Sequence, residues 1–506
     1  MNVLSRIAAG GRACLRAWRR IPRAGRVCFV IAFVNVAIWS VVIPPFQVPD
    51  EISHFAYAQY VAETGSPPPQ SGGLQYSQQE YAALLGLEWG AVIGNPNARG
   101  VITVPQDQAL RALLRENPNP LGAGGTTVAT NQPPLYYALE AIPYWLSPSN
   151  DILTRLAFMR LFSALMAAGT VLAVFLFLRE LMPGTPWTWT AGALMVAFQP
   201  MFDFIGASVQ GDNLLYLASA LTFFVLARAW RRGLTVGRGA AIGGALALGM
   251  LAKLTFLALM PGAGLALLAL AWRARGPGWQ LSLRMLATSI GVAVAPVALY
   301  VLLNVTVWGR GSPLAGGLAS VTSAVGPIST GGVSWHATLD YAWELFFPRL
   351  PFMNHVYFPG ESPLWTLWLN GSIGHFGILD YTFPAWVYND FRDLVYALAA
   401  LSVIGVIRLR HAIRPLLGLF AGYTVMAGGL LAVIGYLSAQ AALGGSYPFP
   451  QARYLFPLLA LYALAIVLAT RALPRRWAPV LGGLLVVLAM AHNLFAETLT
   501  ISRYYG

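Results

Sequence analysis

The stretch VCFVIAFVNVAIWSVVI at residues 27–43, followed at once by PPFQVPDEISHF at residues 44–55, decides the class of this protein. The first run carries no charged side chain, and a membrane span needs roughly 20 mostly apolar residues. Seven arginines precede the run within residues 1–26, and two prolines rather than a small-residue cleavage site follow it. The pattern indicates a retained signal anchor whose basic tail, residues 1–26, lies in the cytoplasm.

The composition extends this interpretation to the whole chain. Hydrophobic residues make up 57% of the 506 residues and charged residues 10%, whereas a soluble protein carries about 25% charged residues. The net charge of +13 comes from arginines grouped between apolar runs, as in loops that face the cytoplasm and its anionic lipids. We therefore expect the lipid bilayer as a partner and no nucleic acid. Cys14 and Cys28 have neither metal-ligand nor disulfide-framework spacing.

Eleven apolar runs are candidates for membrane spans, so the sequence predicts an all-α polytopic protein of the cell (plasma or inner) membrane. The runs lie near residues 27–43, 158–178, 187–205, 212–229, 239–254, 256–272, 285–308, 393–408, 413–437, 453–470 and 477–496. We expect residues 27–506 to form a single transmembrane domain behind the basic tail.

The arginine-rich short loops set the orientation of the spans. Alternating from a cytoplasmic N-terminus, all of these loops fall on the cytoplasmic side, which supports the count of spans. The same alternation places two long segments, residues 44–157 and 309–392, outside, and we expect juxtamembrane helices in both. In the first segment, helix-like stretches lie at residues 51–63, 77–88 and 107–116, and Gly/Pro-rich loops at 65–73 and 117–126.

The acidic motif Pro49-Asp50-Glu51 lies immediately after the first span. In a helix, Asp50 and His54 share a face, Pro49 lies in the first turn, and Asp50 is near the positive end. Acids are scarce, 19 in 506 residues, and burial at the membrane surface shifts a carboxylate pKa toward the working pH. The motif suggests a general base at Asp50, with Glu51 as a second catalytic carboxylate. A divalent cation, Mg²⁺ or Mn²⁺, on Asp50 or His54 fits the same residues. The alternative is a helix cap with a solvated acidic face.

Further polar residues lie at the predicted outer ends of spans. Gln132 and Tyr136 belong to NQPPLYY at residues 131–137, and Asp212 and Asn213 open the fourth span. These residues are candidates for substrate binding, because a polar group in a span is costly unless it is paired or bound to a ligand. The alternatives are an interfacial tyrosine anchor for the first pair and a helix N-cap at Asp212.

Isolated cations are candidates for binding an anion such as a phosphate. Lys253 lies in an apolar hairpin, where a lysine costs roughly 2.5–3.5 kcal/mol at the membrane centre, so it should snorkel outward or hold an anion. Arg453 opens the tenth span on the side without arginine clusters, and its fork of donors suits a phosphate. Gln451 and Tyr454 flank it as substrate contacts. The alternative for Arg453 is an interfacial anchor. Arg155, near the second span, is a further phosphate candidate.

The segment GSIGHFGILDY at residues 371–381 combines glycines, aromatic side chains, His375 and Asp380. Glycine permits close backbone approach, and an aromatic loop at a membrane surface can form a platform for a sugar. His375 and Asp380 are therefore candidates for substrate binding. The alternative is a structural re-entrant cap.

Six motifs in order carry a resemblance to a known family. They are PDExxHF at 49–55, PPLYY at 133–137, GDN at 211–213, KLT at 253–255, GxFGxLD at 374–380 and QxRYLFP at 451–457. The motifs cover residues 44–457 and resemble a family of bacterial membrane proteins of uncharacterised function, which looks like a branch of the GT-C glycosyltransferases. The chain departs from the family pattern at Ala452, often a glycine, and at Ile378, where tryptophan is expected.

The resemblance implies a GT-C-like fold and an enzyme that takes a sugar from a polyprenyl-phosphate donor. The acceptor would be a glycan, lipid or protein of the cell envelope at the outer face. The resemblance also implies Asp50 as the base of an inverting reaction and Arg453 or Lys253 on the donor phosphate. Members of this superfamily often use a divalent cation.

Two other functions are compatible with the sequence. One is a transporter or flippase for lipid-linked sugars, and the other is a non-catalytic subunit for assembly of an envelope polymer. A transporter is expected to place ionisable residues near the membrane midplane and to show internal repeats. Most candidate residues here lie at the outer ends of spans, which favours the enzyme.

Overall fold

The computed structural model gives a mostly helical chain. It describes residues 16, 18–69, 74–101, 103–116, 118–127, 129–233, 235–274, 278–311, 335–353, 363–443 and 450–506. The α-helices are α1 Arg23–Val42, α2 Glu51–Thr64, α3 Gln78–Gly86, α4 Trp89–Val92, α5 Val104–Arg115, α6 Leu135–Leu146, α7 Ile152–Leu181, α8 Pro186–Ala197, α9 Pro200–Gly206, α10 Asp212–Arg232, α11 Val236–Ala252, α12 Met260–Arg273, α13 Trp279–Thr306, α14 Trp335–Phe346, α15 Thr366–Gly374, α16 Ala385–Arg408, α17 Arg410–Ile413, α18 Leu417–Leu443, α19 Leu459–Thr470 and α20 Ala478–Tyr505. Short 3₁₀ turns lie at Ala129–Asn131, Leu254–Leu259, Arg414–Leu416 and Ala452–Leu458.

Within the described residues, eight helical stretches are long and apolar enough to cross a membrane. They are Arg23–Val42, Ile152–Leu181, Asp212–Arg232, Leu254–Arg273, Trp279–Thr306, Arg410–Leu443, Ala452–Thr470 and Ala478–Tyr505. The prediction of a helical, multi-pass membrane protein is therefore confirmed, but the count of eleven spans is not.

The three predicted spans that do not qualify have separate physical reasons. The run at 187–205 is divided between α8 and α9, because Pro200 starts a new helix. The run at 239–254 lies in α11, which is apolar but only 17 residues long. The run at 393–408 lies in α16, which also carries Asp390 and Arg392 just before the run and Asp393 at its start.

The segment of residues 44–157 folds into helices α2 to α6 and one small sheet. Its predicted helices at 51–63, 77–88 and 107–116 correspond to α2, α3 and α5. The loop predicted at 117–126 is wrong in part, because Gly122–Thr127 forms strand β2. This strand pairs antiparallel with β1, Leu74–Ser77, with Leu74 opposite Thr127. The strand sequence GAGGTT is rich in glycine and has no alternating apolar pattern that would predict it.

The segment of residues 309–392 contains α14, α15 and the start of α16. A second small antiparallel sheet joins β3, His375–Phe376, to β4, Tyr381–Thr382. The predicted all-α fold is thus accurate except for two two-stranded sheets. Parts of this segment, residues 312–334 and 354–362, lie outside the described residues.

Packing centres on α7, which contacts α1, α6, α8 and α10. Trp39 of α1 and Phe175 and Phe177 of α7 are fully buried in this core. Helix α10 packs on α11, α11 on α13, and α12 on α18. These contacts bring the start of α10, the break between α11 and α12, and the turn before α19 toward the start of α2.

Candidate functional site

Four charged side chains meet near the N-terminal ends of α2, α10, α12 and α19. We call them the charged cluster: Asp50, Asp212, Lys253 and Arg453. Arg453 lies at its centre, with a side chain only 2% exposed. Its Nη2 pairs with Asp50 Oδ2, and its Nη1 is 3.8 Å from Asp212 Oδ2. The Lys253 Nζ is 2.7 Å from Asp212 Oδ1. Residues separated by up to 403 positions in sequence therefore form one site.

Each member of the cluster lies at a helix end or a helix break. Asp212 is the first residue of α10, and Asp50 is the residue before α2. Lys253 is extended between α11 and the following 3₁₀ turn, and Arg453 lies in the 3₁₀ turn before α19. In a membrane, broken helices of this kind occur where the backbone lines a protein interior or a cavity. The local breaks therefore place the charges together at one end of the helix bundle.

The backbone around Asp50 is held in an unusual conformation. Asp50 has φ +65°, in the left-handed region that Asp and Asn tolerate better than other side chains. Arg453 Nη1 donates to the Pro49 carbonyl at 3.4 Å and to Gln210 Oε1 at 2.7 Å, and the Gln210 amide also donates to Pro49. The prediction that Pro49 lies in the first helical turn is wrong, because α2 begins at Glu51.

Asp50 is the member of the cluster that an incoming molecule can reach. Its side chain is 42% exposed, against 14% for Lys253 and 3% for Asp212. Burial raises the pKa of the Asp50 carboxyl, but the adjacent Arg453 guanidinium more than offsets this, so the pKa lies below its ordinary value. Its Oδ1 is engaged by none of the described residues. The site therefore presents an ionised carboxylate with one free oxygen.

His54 lies one turn after Asp50 and extends the cluster with an aromatic wall. Its backbone N–H donates to the Asp50 carbonyl at 3.1 Å, as expected from their spacing. Its Nδ1 is 2.8 Å from the Tyr137 hydroxyl, and the two rings are stacked. Burial lowers the pKa of His54 to about 4, so the imidazole is neutral at neutral pH. Tyr57 stacks in turn on Tyr137 with 3.7 Å between ring centres.

Glu51 does not fit the role of a second catalytic carboxylate. It is fully buried and accepts hydrogen bonds from Arg160 at 2.6 and 2.8 Å, and from the backbone N–H groups of Phe46 and Val209. Arg160 also donates to the carbonyls of Ser40, Ile43 and Pro44. All four positions on the carboxylate are used, so Glu51 fixes the segment between α1 and α2.

Three residues predicted to contact substrate form hydrogen bonds within the protein instead. The Tyr136 hydroxyl is buried against Ser163 at 2.9 Å. The backbone carbonyl of Gln132 accepts from the Tyr57 hydroxyl at 3.1 Å, and the Asn213 side-chain amide donates to the Ser208 backbone carbonyl at 2.9 Å. Tyr136 and Asn213 are fully buried, so their placement fits the positioning of neighbouring segments rather than contact with a substrate.

Gln451 and Tyr454 flank Arg453 as the sequence suggested. The Arg453 guanidinium lies over the Tyr454 ring, 5.4 Å from its centre, and Gln451 is buried. The Arg453 carbonyl accepts from the Tyr216 hydroxyl at 3.0 Å. These contacts fix the direction in which the arginine points.

Arg155, His375 and Asp380 are bound elsewhere. Arg155 donates to Asn150 at 2.9 Å and to the Tyr144 hydroxyl, and lies 3.4 Å from Glu63. His375 Nε2 lies 3.0 Å from the Leu379 carbonyl oxygen.

Asp380 pairs with Arg503 of α20 at 3.0 Å, and both side chains are buried. Arg503 also donates to the carbonyls of Val92, Asn95 and Ala98. This arrangement joins α20 to both long segments of the chain. Asp380 therefore fits a structural clamp better than a substrate contact.

The residues around Asp50 do not fit a divalent cation. Among the described residues, no group of three His, Cys, Asp or Glu side chains is placed to hold a metal ion. Asp50 already pairs with Arg453, and His54 with Tyr137. A second positive charge, on Lys253, lies behind Asp212. Positive charge is thus supplied by the protein itself, which disfavours a bound Mg²⁺ or Mn²⁺.

Three further residues of the site were not among the predicted ones. Gln210 is fully buried and joins Arg453 to Pro49; its only signal was that it precedes Asp212 by two positions. Tyr137 adjoins the predicted Tyr136, and Tyr57 follows His54 by three positions on the same helix. Sequence spacing could not show which of the two neighbouring tyrosines faces the cluster.

Fold and site together define a polytopic membrane protein with a charged cluster at one end of its helix bundle. The family model described as "Predicted membrane protein (DUF2142)" matches residues 33–462. The chain belongs to this family. No curated protein matches the sequence.

Some solved membrane proteins are similar to this chain. The archaeal oligosaccharyltransferase AglB from Archaeoglobus fulgidus, in complex with an inhibitory peptide and a dolichol-phosphate, is 14% identical with a TM-score of 0.47. The match covers 95% of this chain and 56% of that one, so the chain spans about half the length of AglB. ArnT from Cupriavidus metallidurans bound to undecaprenyl phosphate is 14% identical with a TM-score of 0.34, over 87% of this chain and 77% of ArnT.

Proposed function

We propose that the chain is a GT-C-type membrane glycosyltransferase that transfers a sugar from a polyprenyl-phosphate donor to an acceptor of the cell envelope. The observation that carries the proposal is the free oxygen of an ionised Asp50, backed by buried cations. Four of the six motifs of the family resemblance supply Asp50, His54, Asp212, Lys253 and Arg453, and these residues lie together in the structure.

Asp50 is the general base of the proposed reaction. Its Oδ1 takes the proton of the acceptor hydroxyl as that oxygen attacks the anomeric carbon. The bond from the anomeric carbon to the donor phosphate breaks, and the phosphate leaves as an anion. Because the transition state is oxocarbenium-like, the acceptor hydroxyl becomes more acidic as its bond forms, so a carboxylate with a low pKa suffices.

Arg453 and Lys253 maintain the ionised state of the base and the charge balance around it. Arg453 holds Asp50 ionised and oriented, while Lys253 neutralises Asp212 behind it. The two cations and two carboxylates balance in charge. A site of fixed charges needs little reorganisation when charge moves in the transition state.

The outer face of the membrane is the proposed location of the reaction. The basic tail before the first span predicts a cytoplasmic N-terminus, which would put residues 44–157, with Asp50 and His54, on the outer side. A polyprenyl tail in the lipid would hold the donor phosphate at the same depth as the helix ends. Acceptor glycans, lipids or proteins of the envelope would approach from the exposed side of Asp50.

One observation keeps a transporter as the second candidate. Asp203 is fully buried, and its Oδ2 accepts from Asn35 of α1 at 3.0 Å and from Asn493 of α20 at 2.7 Å. Both asparagines lie near the middle of spans, where ionisable groups often mark transport pathways. Reconstituted liposomes with a lipid-linked sugar separate the functions: a transporter moves the lipid across the bilayer without transferring its sugar.

The test of the enzyme uses Asp50→Asn. Purified protein is given a radiolabelled polyprenyl-phosphate sugar and a membrane extract, and transfer to the extract is counted. Asparagine tolerates the left-handed backbone and can still contact Arg453, so the fold should persist. We expect transfer to fall by roughly 10²- to 10⁴-fold, the usual contribution of a general base.

The matched control is Asp107→Asn, an exposed aspartate on α5 that pairs with Arg111. Its transfer rate should equal that of the wild type. Equal rates for Asp50→Asn and wild type would remove Asp50 as the base.

A further inference from the structure

Arg310 is a buried arginine that the proposed reaction does not yet use. It follows α13, where the chain turns back so that its N–H donates to the Asn304 carbonyl at 2.9 Å. The Asn304 amide closes the turn by donating to Gly311 at 2.7 Å. Arg310 is 4% exposed, and its Nη2 donates to the Thr130 carbonyl. This contact attaches the end of α13 to the segment just before residues 131–137.

Two of its donors are left over. Nε and Nη1 of Arg310 are buried and have no hydrogen-bond partner among the described residues. Arg160, Arg453 and Arg503 are equally buried, but each pairs with a carboxylate. Buried polar groups are nearly always satisfied, and a buried charge is costly without a partner. Arg310 therefore has the charge and the free N–H groups to bind an anion.

An aromatic wall connects Arg310 to the charged cluster. Arg310 donates to the Thr130 carbonyl, and the Tyr57 hydroxyl donates to the backbone carbonyl of Gln132 at 3.1 Å, so both side chains contact the same short segment. Tyr57 stacks on Tyr137 at 3.7 Å between ring centres, and Tyr137 on His54 at 5.8 Å. Two ring-to-ring steps thus lead from Arg310 to the side chain one turn after Asp50. The base and the free arginine lie at opposite ends of this wall.

An apolar groove of about 470 Å³ runs along α13 toward the same turn. It is lined by Met250, Val294, Val297, Ala298, Val301 and Leu302. Leu302 precedes Asn304 by two residues, about 3 Å along the helix axis. The groove is therefore lined by the last turns of α13, the helix that the Arg310 turn follows. An apolar groove with a cation after the same helix matches a lipid tail with an anionic head.

We propose that Arg310 binds the phosphate of the polyprenyl-linked donor, whose isoprenoid tail lies in the groove along α13. The identity of the lipid rests on the proposed function. The donor phosphate would then bind away from Arg453 and Lys253, which already pair with Asp50 and Asp212.

The chemistry of inversion favours this separation. The base activates the nucleophile on one face of the sugar ring, and the leaving group departs from the opposite face. A phosphate on Arg453 would lie beside Asp50 and on the same side as the nucleophile. A phosphate on Arg310 places the sugar between the leaving group and the base, along the wall of Tyr57 and Tyr137.

The experiment measures binding rather than turnover. Purified protein is titrated in detergent with a long-chain polyprenyl phosphate, and separately with inorganic phosphate, by a thermal-shift or calorimetric method. Arg310→Gln should bind the lipid roughly ten- to a hundredfold more weakly, the usual effect of losing a hydrogen-bonded charge. Arg111→Gln is the control, because Arg111 is an exposed arginine of α5 that pairs with Asp107 and has no part in the site. It should bind like the wild type.

The possible results separate the two proposals. Lipid binding by the wild type with equal binding by Arg310→Gln overturns the Arg310 site and leaves the proposed function intact. Absence of lipid binding by the wild type overturns both. If Arg310→Gln does not fold, Arg310→Met decides: it removes the charge and keeps an apolar side chain of similar length, and an affinity equal to wild type overturns the site.

A second arm tests the groove. Ala298→Trp fills it, while Leu299→Trp changes the next residue, which is exposed and does not line the groove. Only Ala298→Trp should weaken lipid binding, and neither should affect inorganic phosphate. Equal lipid affinity in both variants overturns the tail site. Binding of inorganic phosphate as tight as that of the lipid would show that the tail contributes nothing.

Discussion

Replacing Glu51 by alanine should destabilise the fold around the charged cluster rather than remove a catalytic group. Glu51 is the partner of Arg160 in a fully buried pair, with Nη2 2.6 Å from Oε2. Its oxygens also accept from the backbone N–H groups of Phe46 and Val209, both at 3.1 Å. Phe46 has φ +62°, an outlier for a bulky residue, and depends on such contacts to stay in place.

The magnitude follows from what Glu51→Ala leaves behind. Removing one partner of a buried ion pair typically costs about 3–5 kcal/mol, because the other charge stays buried without compensation. Each of the two backbone N–H groups adds a desolvation cost of about 1–3 kcal/mol if it stays unpaired. Arg160 keeps its bonds to three backbone carbonyls, so it cannot easily swing into water. We therefore expect a loss of at least about 3 kcal/mol.

The assay is unfolding of the purified protein in mixed detergent, with the free energy taken from a denaturant titration. Glu180→Ala is the control, because Glu180 pairs with Arg232, whose side chain is 43% exposed and can return to water. It should lose less. A Glu51→Ala protein that unfolds like the wild type but no longer transfers sugar would refute the structural role and restore Glu51 as a catalytic carboxylate.

Three other predictions concern charge and pH. Burial raises the pKa of Glu140 to about 8, so between about pH 4.5 and 8 the carboxyl is ionised in the unfolded protein but protonated in the folded protein. The free energy of unfolding of the wild type should therefore fall as the pH rises through this range, with a slope of up to about 1.4 kcal/mol per pH unit. Glu140→Gln should flatten this pH dependence, and an equal slope in both proteins would contradict the prediction. Asp380→Asn should lower the free energy of unfolding by weakening the Arg503 clamp while the KM for the donor stays unchanged, and a raised KM with normal stability would reverse this assignment. Transfer should persist in excess EDTA, because Arg453 and Lys253 supply the positive charge, and full loss that added Mg²⁺ restores would show a metal site after all.

The positions of the helices were predictable because apolar length is a local property of the sequence. The run at 27–43 became α1, and the helix-like stretches at 51–63 and 107–116 became α2 and α5. The count of spans was less predictable, because Pro200 and the charges in α16 interrupt runs that composition alone joins. The strand Gly122–Thr127 has no side-chain pattern and is defined only by its partner.

The members of the charged cluster were predictable because each is a charge that is energetically costly to place next to an apolar run. Lys253, Asp212 and Arg453 are charges at the ends of apolar runs, and that cost implies partners. The sequence could not show that they are one another's partners. For the same reason Asp380 resembled a substrate contact, since its partner Arg503 lies 123 residues away. Arg310 belongs to no motif, and it became a candidate only when two of its donors were found buried and unpaired.

Asp50 and Glu51 show how one backbone dihedral divides two adjacent acids. Glu51 is the first residue of α2, and its side chain points into the bundle toward α7, where Arg160 holds it. Asp50 has φ +65°, which turns its side chain out of that direction and leaves it 42% exposed. A regular helical conformation at position 50 would not present the carboxylate in this way. The left-handed conformation at Asp50 is stabilised by two sets of hydrogen bonds. Glu51 accepts from the Phe46 N–H, and Arg453 and Gln210 donate to the Pro49 carbonyl. The structural acid thus keeps its neighbour in the conformation that the proposed base requires.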